Sequence, residues 1–198
     1  FDKNDFNVLV TCHRREQIGK NITFLCEELK KISLLSNNIK IFFILHHNPK
    51  IVKPVRKYLD KHKNIVLVKP LKYDLFLNFL KLCNLIVTDS GGIQEEITIL
   101  NKKCLVNRDV TERVEVIDNK NIFLVGSDSN NLFKKFTQIY KNHNQKYNKT
   151  IKFAKIYGTG NSSKKISKIL KNKYSLKDKW VRFVKTDTWV DMINNIFI

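Results

Sequence analysis

A doubly wound α/β domain with a parallel sheet is the fold class this sequence predicts, and three observations carry it. Six short apolar runs lack the strict alternation of a half-exposed strand, as strands covered on both faces do. The segments between them repeat their apolar residues at steps of three and four, the spacing of one helix face. Strand and helix also take turns along the chain, which favours crossover connections and ligands bound beyond the carboxyl ends of the strands.

The first apolar run is Val8 to Thr11, followed by the helical set Ile22, Leu25, Leu29 and Ile32. Ile39 to Leu45 comes next, before Val52, Val55 and Leu59. Ile65 to Val68 leads into Leu75, Phe79 and Leu82, and Leu85 to Val87 leads into Ile93, Ile97 and Leu100. Cys104 to Val106 and Ile122 to Val125 complete the strands. A helix is expected from about Asn130 to Asn142, then a polar link to Lys149. Two further helices are expected at Ile151 to Ile156 and Ser162 to Leu170, parted by the turn Tyr157 to Gly160. Residues 1–170 are taken as the domain, and residues 171–198, with Trp180 and Trp189, as an irregular tail. No internal repeat is evident.

At 198 residues the chain suffices for one sizeable core, either a whole domain or one lobe of a larger molecule. It opens on Phe1, which reads as part of a longer protein. No apolar stretch approaches the roughly 18 residues of a membrane span, and no signal sequence opens the chain, so the expected compartment is the cytoplasm. Cys12, Cys26, Cys83 and Cys104 lie far apart in apolar segments and are expected as buried, reduced thiols. The net charge of +19 invites a nucleic-acid reading. Yet it comes from 31 Lys and only 6 Arg, beside 22 Asn and 22 Ile, with the lysines scattered over polar helix faces. Arginine is the usual bidentate phosphate and base reader, and Arg14, Arg15 and Arg113 fall in motif-like segments instead of a basic stripe, so neither nucleic acid nor membrane is expected as a partner.

Chemistry concentrates after the strands. Thr88 to Glu96, TDSGGIQEE, joins a strand to a helix. Gly91 and Gly92 let a ligand approach the backbone, and free N–H groups at a helix start favour a phosphate. Glu95 and Glu96 could accept hydrogen bonds from a sugar hydroxyl. A turn that needs glycine only for geometry, with Ser90 as N-cap, explains the same residues. TCHRRE, Thr11 to Glu16, offers cationic donors and an imidazole at a strand end, or else an ion-pair patch with His13 as a cap. HHNP, His46 to Pro49, lacks a third ligand for a metal, and a turn accounts for it. NRDVTERVE, Asn107 to Glu115, crowds charge into one loop, either for a ligand or for mutual ion pairing. PLKYDLF, Pro70 to Phe76, could wall a planar base with Tyr73 and Phe76, backbone groups at Leu71 meeting its polar edge, unless Phe76 is core. There is no Walker A loop and no GxGxxG element, so ATP hydrolysis and dinucleotide redox chemistry lose support and no cofactor is expected; with HHNP short of a third ligand, no metal is expected either.

Together VTCHRRE, HHNP, PLKYDLF, TDSGGIQEE, NRDVTER and YGTGNSSKKI resemble, in order and spacing, the C-terminal half of the non-hydrolysing UDP-N-acetylglucosamine 2-epimerases, across about residues 7–169. The resemblance implies a Rossmann-like lobe of a two-lobed, glycosyltransferase-B-like architecture. It implies that Ser90, Gly91 and Gly92 bind the UDP diphosphate, Glu96 the ribose, Leu71 and Phe76 the uracil region, and that Arg113 also binds the nucleotide sugar. His13 would be the catalytic group near the departing UDP. The family's reaction eliminates UDP to a 2-acetamidoglucal and adds it back with C2 inverted, giving UDP-N-acetylmannosamine.

Arg14, Glu16 and His46 match positions near an activating second substrate site, and the resemblance implies a homodimer for the full-length enzyme. The acidic residues that move the C2 proton belong to the N-terminal lobe, which these residues do not match, so this chain is expected to bind UDP without epimerising. Cys12 stands where the family usually has alanine, and Val114 where a proline commonly follows the TER triplet. Two other functions fit the residues less well. A nucleotide-sugar glycosyltransferase lobe shares the architecture, and a basic polyanion binder would answer to the charge alone.

Overall fold

The structure, a computed structural model, describes residues 2, 4–117, 121–127, 129–143, 156–158 and 160–174. The expected helix Ile151 to Ile156 (but for its last residue), the link beyond His143, and Trp180 and Trp189 lie outside them. The backbone divides into two units, Phe1–Ala154 and Lys155–Ile198.

In the first unit, six strands form one parallel sheet: β1 (Phe6–Thr11), β2 (Ile39–Ile44), β3 (Ile65–Val68), β4 (Leu85–Thr88), β5 (Lys103–Val106) and β6 (Ile122–Leu124), in the order β3-β2-β1-β4-β5-β6. Between them run α1 (Lys20–Ser33), α2 (Pro49–Leu59), α3 (Tyr73–Leu82), α4 (Gly91–Leu100) and the short α5 (Val114–Ile117), and α6 (Ser129–Lys141) follows β6. Every residue of β1 and β4 is buried, which is why those runs carry no polar alternation. The chain builds outward from β1 to β3, returns beside β1 as β4, and builds outward again. That reversal opens a crevice between the carboxyl ends of β1 and β4, the usual ligand position in such sheets.

One face of the sheet packs Val8, Val10, Leu85, Val87 and Leu105 against α1, α2 and α6, through Leu25, Leu29, Val55 and Phe136. On α6 and β1, Phe136 and Phe6 meet edge to face at 5.8 Å. α3 and α4 contact each other, α3 reaching β1 and α4 reaching β5. The expected face of α3 is corrected here. Leu77 and Leu80 are buried, whereas Leu75 and Leu82 are 49% and 56% exposed. Apolar residues at 75, 76, 77, 79, 80 and 82 offer two helical stripes, and packing on β1 and α4 selects the second. All four cysteines are buried and unpaired, and burial pushes the thiols of Cys26 and Cys83 up to about 12. No helix among the described residues is long and apolar enough to cross a membrane.

The described part of the second unit is chiefly α7 (Ser162–Tyr174), which runs on past the expected end at Leu170. Ile166, Ile169 and Leu170 lie exposed along it.

Candidate functional site

At the end of β4 the chain turns into α4 through Asp89 and Ser90. Ser90 takes the N-cap position, its hydroxyl accepting from Ile93 N at 3.5 Å, while its own N–H donates to Thr88 Oγ1 at 3.1 Å. Gly91 and Gly92 form the first turn of the helix, whose leading N–H groups have no intrahelical acceptor and carry its positive end. Neither glycine has positive φ. Gly91 is buried, and a side-chain carbon there would come within 2.8 Å of Glu112 Oε1, whereas one at Gly92 would meet nothing nearer than Ser90 Oγ at 3.9 Å.

β1 delivers His13 and Arg14 to the same place, and Asp89 fastens them there. Its Oδ2 accepts from His13 N at 2.9 Å and Arg14 N at 2.8 Å, while Oδ1 lies 3.3 Å from His13 Nδ1. Asp89 is fully buried and His13 partly exposed. Oδ1 has no hydrogen-bond partner among the described residues, so Asp89 faces Nδ1 as a nearby charge, and Nε2 is the ring nitrogen on the side away from it. The Cys12 thiol, pushed up by burial and then by Asp89, stays neutral beside this pair. At the end of β2, the His46 ring stacks on His13, centroids 6.1 Å apart and planes 25° apart. His46 Nδ1 accepts from Asn48 N at 3.0 Å, and Asn48 caps α2. Burial, then the neighbouring His13, holds the His46 imidazole below its ordinary range.

Buried polar pairs lock these loops together. Thr11 and Thr88 join their hydroxyls at 2.7 Å. Gln17 Nε2 donates to Asn107 O at 2.8 Å, and Asn107 Nδ2 donates back to Gln17 Oε1 at 3.1 Å. Gln94 Nε2 donates to Ser90 O at 3.1 Å, and Gln94 Oε1 accepts from Thr111 at 3.0 Å.

Around this frame lies an outer ring of ion pairs. Arg14 and Arg108 both donate to Glu112, Arg108 also to Glu16 at 2.7 Å, and Arg113 Nε donates to Glu95 Oε1 at 2.6 Å. The Glu112 carboxyl is held down to about 2 by its own backbone N–H, then by Arg108 and Arg14. Glu96 behaves differently. Tyr73 OH donates to its Oε1 at 2.8 Å, tying the start of α3, with Leu71 and Phe76, to α4. Its Oε2 is buried with no hydrogen-bond partner among the described residues. Burial therefore lifts the Glu96 carboxyl above its usual range, and burial lifts the Tyr73 hydroxyl to about 12.

The strand ends thus gather His13, Arg14, Glu16, His46, Ser90, Gly91, Gly92, Glu96 and Arg113 into one network or beside it, and Glu95 is engaged by Arg113 instead of open to a ligand. Residues 2–171 match the family described as UDP-N-acetylglucosamine 2-epimerase. The chain belongs to that family. It is 39% identical over 163 residues to the UDP-N-acetylglucosamine 2-epimerase of Campylobacter jejuni, covering 82% of this chain and 42% of that protein. With the Escherichia coli K12 protein it shares 37% over 165 residues, 83% of this chain and 44% of the relative.

The crystal structure of the Neisseria meningitidis UDP-GlcNAc 2-epimerase bound to UDP-GlcNAc superposes with a TM-score of 0.81 at 34% identity, covering 87% of this chain and 46% of that one. The Methanocaldococcus jannaschii enzyme in complex with UDP-GlcNAc and UDP gives 0.71 at 30%, covering 85% and 46%. The chain spans under half the length of each of these relatives. Its sheet is the Rossmann-like, glycosyltransferase-B-like fold expected of this epimerase family.

Sequence reasoning passed over Asp89, an acid fully buried at the strand ends. The signal was present: an aspartate closing an apolar run, where a buried carboxylate must find partners. Those partners lie some 75 positions away, on His13 and Arg14, and no local pattern names them.

Proposed function

We propose that this chain is the nucleotide-binding lobe of an enzyme that interconverts UDP-N-acetylglucosamine and UDP-N-acetylmannosamine, and that it stabilises the departing UDP. The observation that carries this reading is the meeting of the α4 N-terminus with an imidazole whose backbone N–H is held by buried Asp89 and whose Nδ1 lies 3.3 Å from it. In elimination the bond from the sugar C1 to the diphosphate oxygen breaks, and the electron pair leaves with UDP. Negative charge then grows on the diphosphate. The helix N-terminus is a preorganised donor for that charge, positioned before the reaction and needing little reorganisation, and His13 adds a donor at Nε2 when it carries both ring protons.

Gly91 and Gly92 give the diphosphate room, and Glu96 Oε2 accepts a ribose hydroxyl, which satisfies its stranded oxygen. Leu71 and Phe76, brought near by the Tyr73–Glu96 bond, take the uracil edge and face, and Arg113 adds a cationic contact. Arg14, Glu16 and His46 belong to an activating nucleotide-sugar site beside His13, with Arg14 on its border with the diphosphate position. The C2 proton is moved by acidic groups of a second lobe, so the 198 residues bind UDP but do not turn over the sugar, and the full enzyme is a homodimer.

Calorimetry tests this directly. UDP should bind the chain saturably, uridine at least about tenfold more weakly for lack of phosphate contacts, and both should survive moderate salt better than a heparin probe. Binding of heparin but not of millimolar UDP would overturn the reading in favour of a polyanion binder. Formation of UDP-N-acetylmannosamine by these residues alone would overturn the division of labour between lobes.

A further inference from the structure

Glu112 stands where a ligand anion would. Its Oε1 lies so close to the first turn of α4 that a side-chain carbon at Gly91 would come within 2.8 Å of it, with Arg113 Cζ at 3.8 Å. Arg14 donates to the same oxygen and Arg108 to Oε2. A carboxylate between guanidinium groups at a helix N-terminus has the environment a phosphate seeks. Arg14 and Glu112 are 36% and 39% exposed at their side chains, so the carboxylate can swing out to solvent while Arg108, 12% exposed, stays in place with Glu16 as partner.

We propose that Glu112 is an internal counter-anion: the diphosphate binds by exchange, taking Arg14 and Arg108 from Glu112, which makes Glu112 a residue that sets the affinity for anionic ligands and leaves neutral ones untouched. This rests on the reading that the α4 N-terminus receives a diphosphate. Without the carboxylate, Arg14, Arg108 and Arg113 would keep only Glu16 and Glu95 as partners around one crevice; with it, three carboxylates balance three guanidinium groups. A neutral ligand cannot make the exchange and gains nothing from the arginines. A diphosphate supplies more negative charge than Glu112 withdraws, and the released carboxylate is solvated at the rim.

Glu112→Gln removes the competitor while keeping shape, and Glu112→Ala removes it outright. Charge pairs made to a carboxylate that is 39% exposed are modest in strength, so each variant should bind UDP about fivefold more tightly than wild type, with uridine affinity unmoved and circular dichroism confirming the fold. Unchanged or weaker UDP binding in both variants, or an equal gain for uridine, overturns the proposal. Absence of UDP binding to the wild-type chain would overturn the underlying site as well, which is a different result from an affinity that ignores Glu112. The wild type also decides alone. The side-chain carboxyl carbon resonance of Glu112 should shift on UDP addition as both arginines leave it, and a resonance that stays in place overturns the exchange.

Discussion

Gly92→Ala separates a glycine that serves a turn from a glycine that serves a ligand. Gly92 is exposed in the first turn of α4, lacks positive φ, and offers a methyl group no contact nearer than 3.9 Å. Nothing in the protein therefore opposes alanine. In a helix interior alanine is better than glycine by about 1 kcal/mol, and in a first turn roughly half of that remains. The variant should melt about 1 to 2 °C higher, following the scaling for a domain of this size. A diphosphate hydrogen-bonded to these N–H groups would be pushed away by the same methyl. Losing one charge-assisted hydrogen bond costs about 1.5 to 3 kcal/mol, so UDP affinity should fall at least about tenfold. Thermal unfolding and calorimetric titration on one preparation read both effects. A variant as stable as predicted that binds UDP as tightly as wild type would refute the placement of the phosphate. Gly91→Val is the less clean test, because its side chain meets Glu112 before any ligand arrives.

Asp89→Ala should lower the unfolding free energy by about 3 to 5 kcal/mol, since it strands the N–H groups of His13 and Arg14, and a urea midpoint within about 1 kcal/mol of wild type would contradict the fastening role. Ser90→Ala should cost about 0.5 kcal/mol, the low end for an N-cap given its 3.5 Å bond, measured by the same denaturation. Glu96→Gln has opposite effects on fold and ligand. Burial raises the Glu96 carboxyl in the folded state, so the fold holds that proton more tightly than the unfolded chain does and ionisation costs stability at neutral pH. Glutamine should thus raise the urea midpoint at pH 7, by under about 1 kcal/mol because the group is partly solvated, with the gain fading as pH falls through the folded-state value; UDP affinity should drop at every pH where Glu96 is ionised.

The strands were legible because burial on both faces leaves its mark residue by residue. Val8, Val10, Leu85, Val87 and Leu105 are apolar for the same reason they are inaccessible. Strand order was not legible, because β1 pairs with β4 across the 73 residues between Thr11 and Leu85, and no local pattern encodes that distance. The face of α3 escaped for a related reason, its two apolar stripes being equivalent until β1 and α4 choose one. At the site, Ser90, the glycines and the charged loop were visible as residue types. Their relations were not: His13 acquires its orientation from Asp89, and Gln17 its partner from Asn107, only once β1, β4 and β5 lie side by side.

These relations divide the site into two parts with different physics. The inner pairs, Thr11 with Thr88, Gln17 with Asn107, Gln94 with Thr111 and Asp89 with the His13 loop, are buried or partly buried, and each satisfies a group that would otherwise be stranded away from water. Breaking such a pair leaves an unpaired donor or acceptor in low dielectric, so the loops they hold are costly to move. In the outer pairs Arg14 and Glu112 stand nearer solvent, where water replaces a lost partner and the cost of parting is small, while the less exposed Arg108 keeps Glu16 when Glu112 leaves. A catalyst for a charged leaving group needs both properties: donors that do not reorganise as charge grows, and a rim that gives up its own anion when a stronger one arrives. The sequence places buried amides and hydroxyls on the inner positions and long charged side chains on the rim, which is the distribution that division requires.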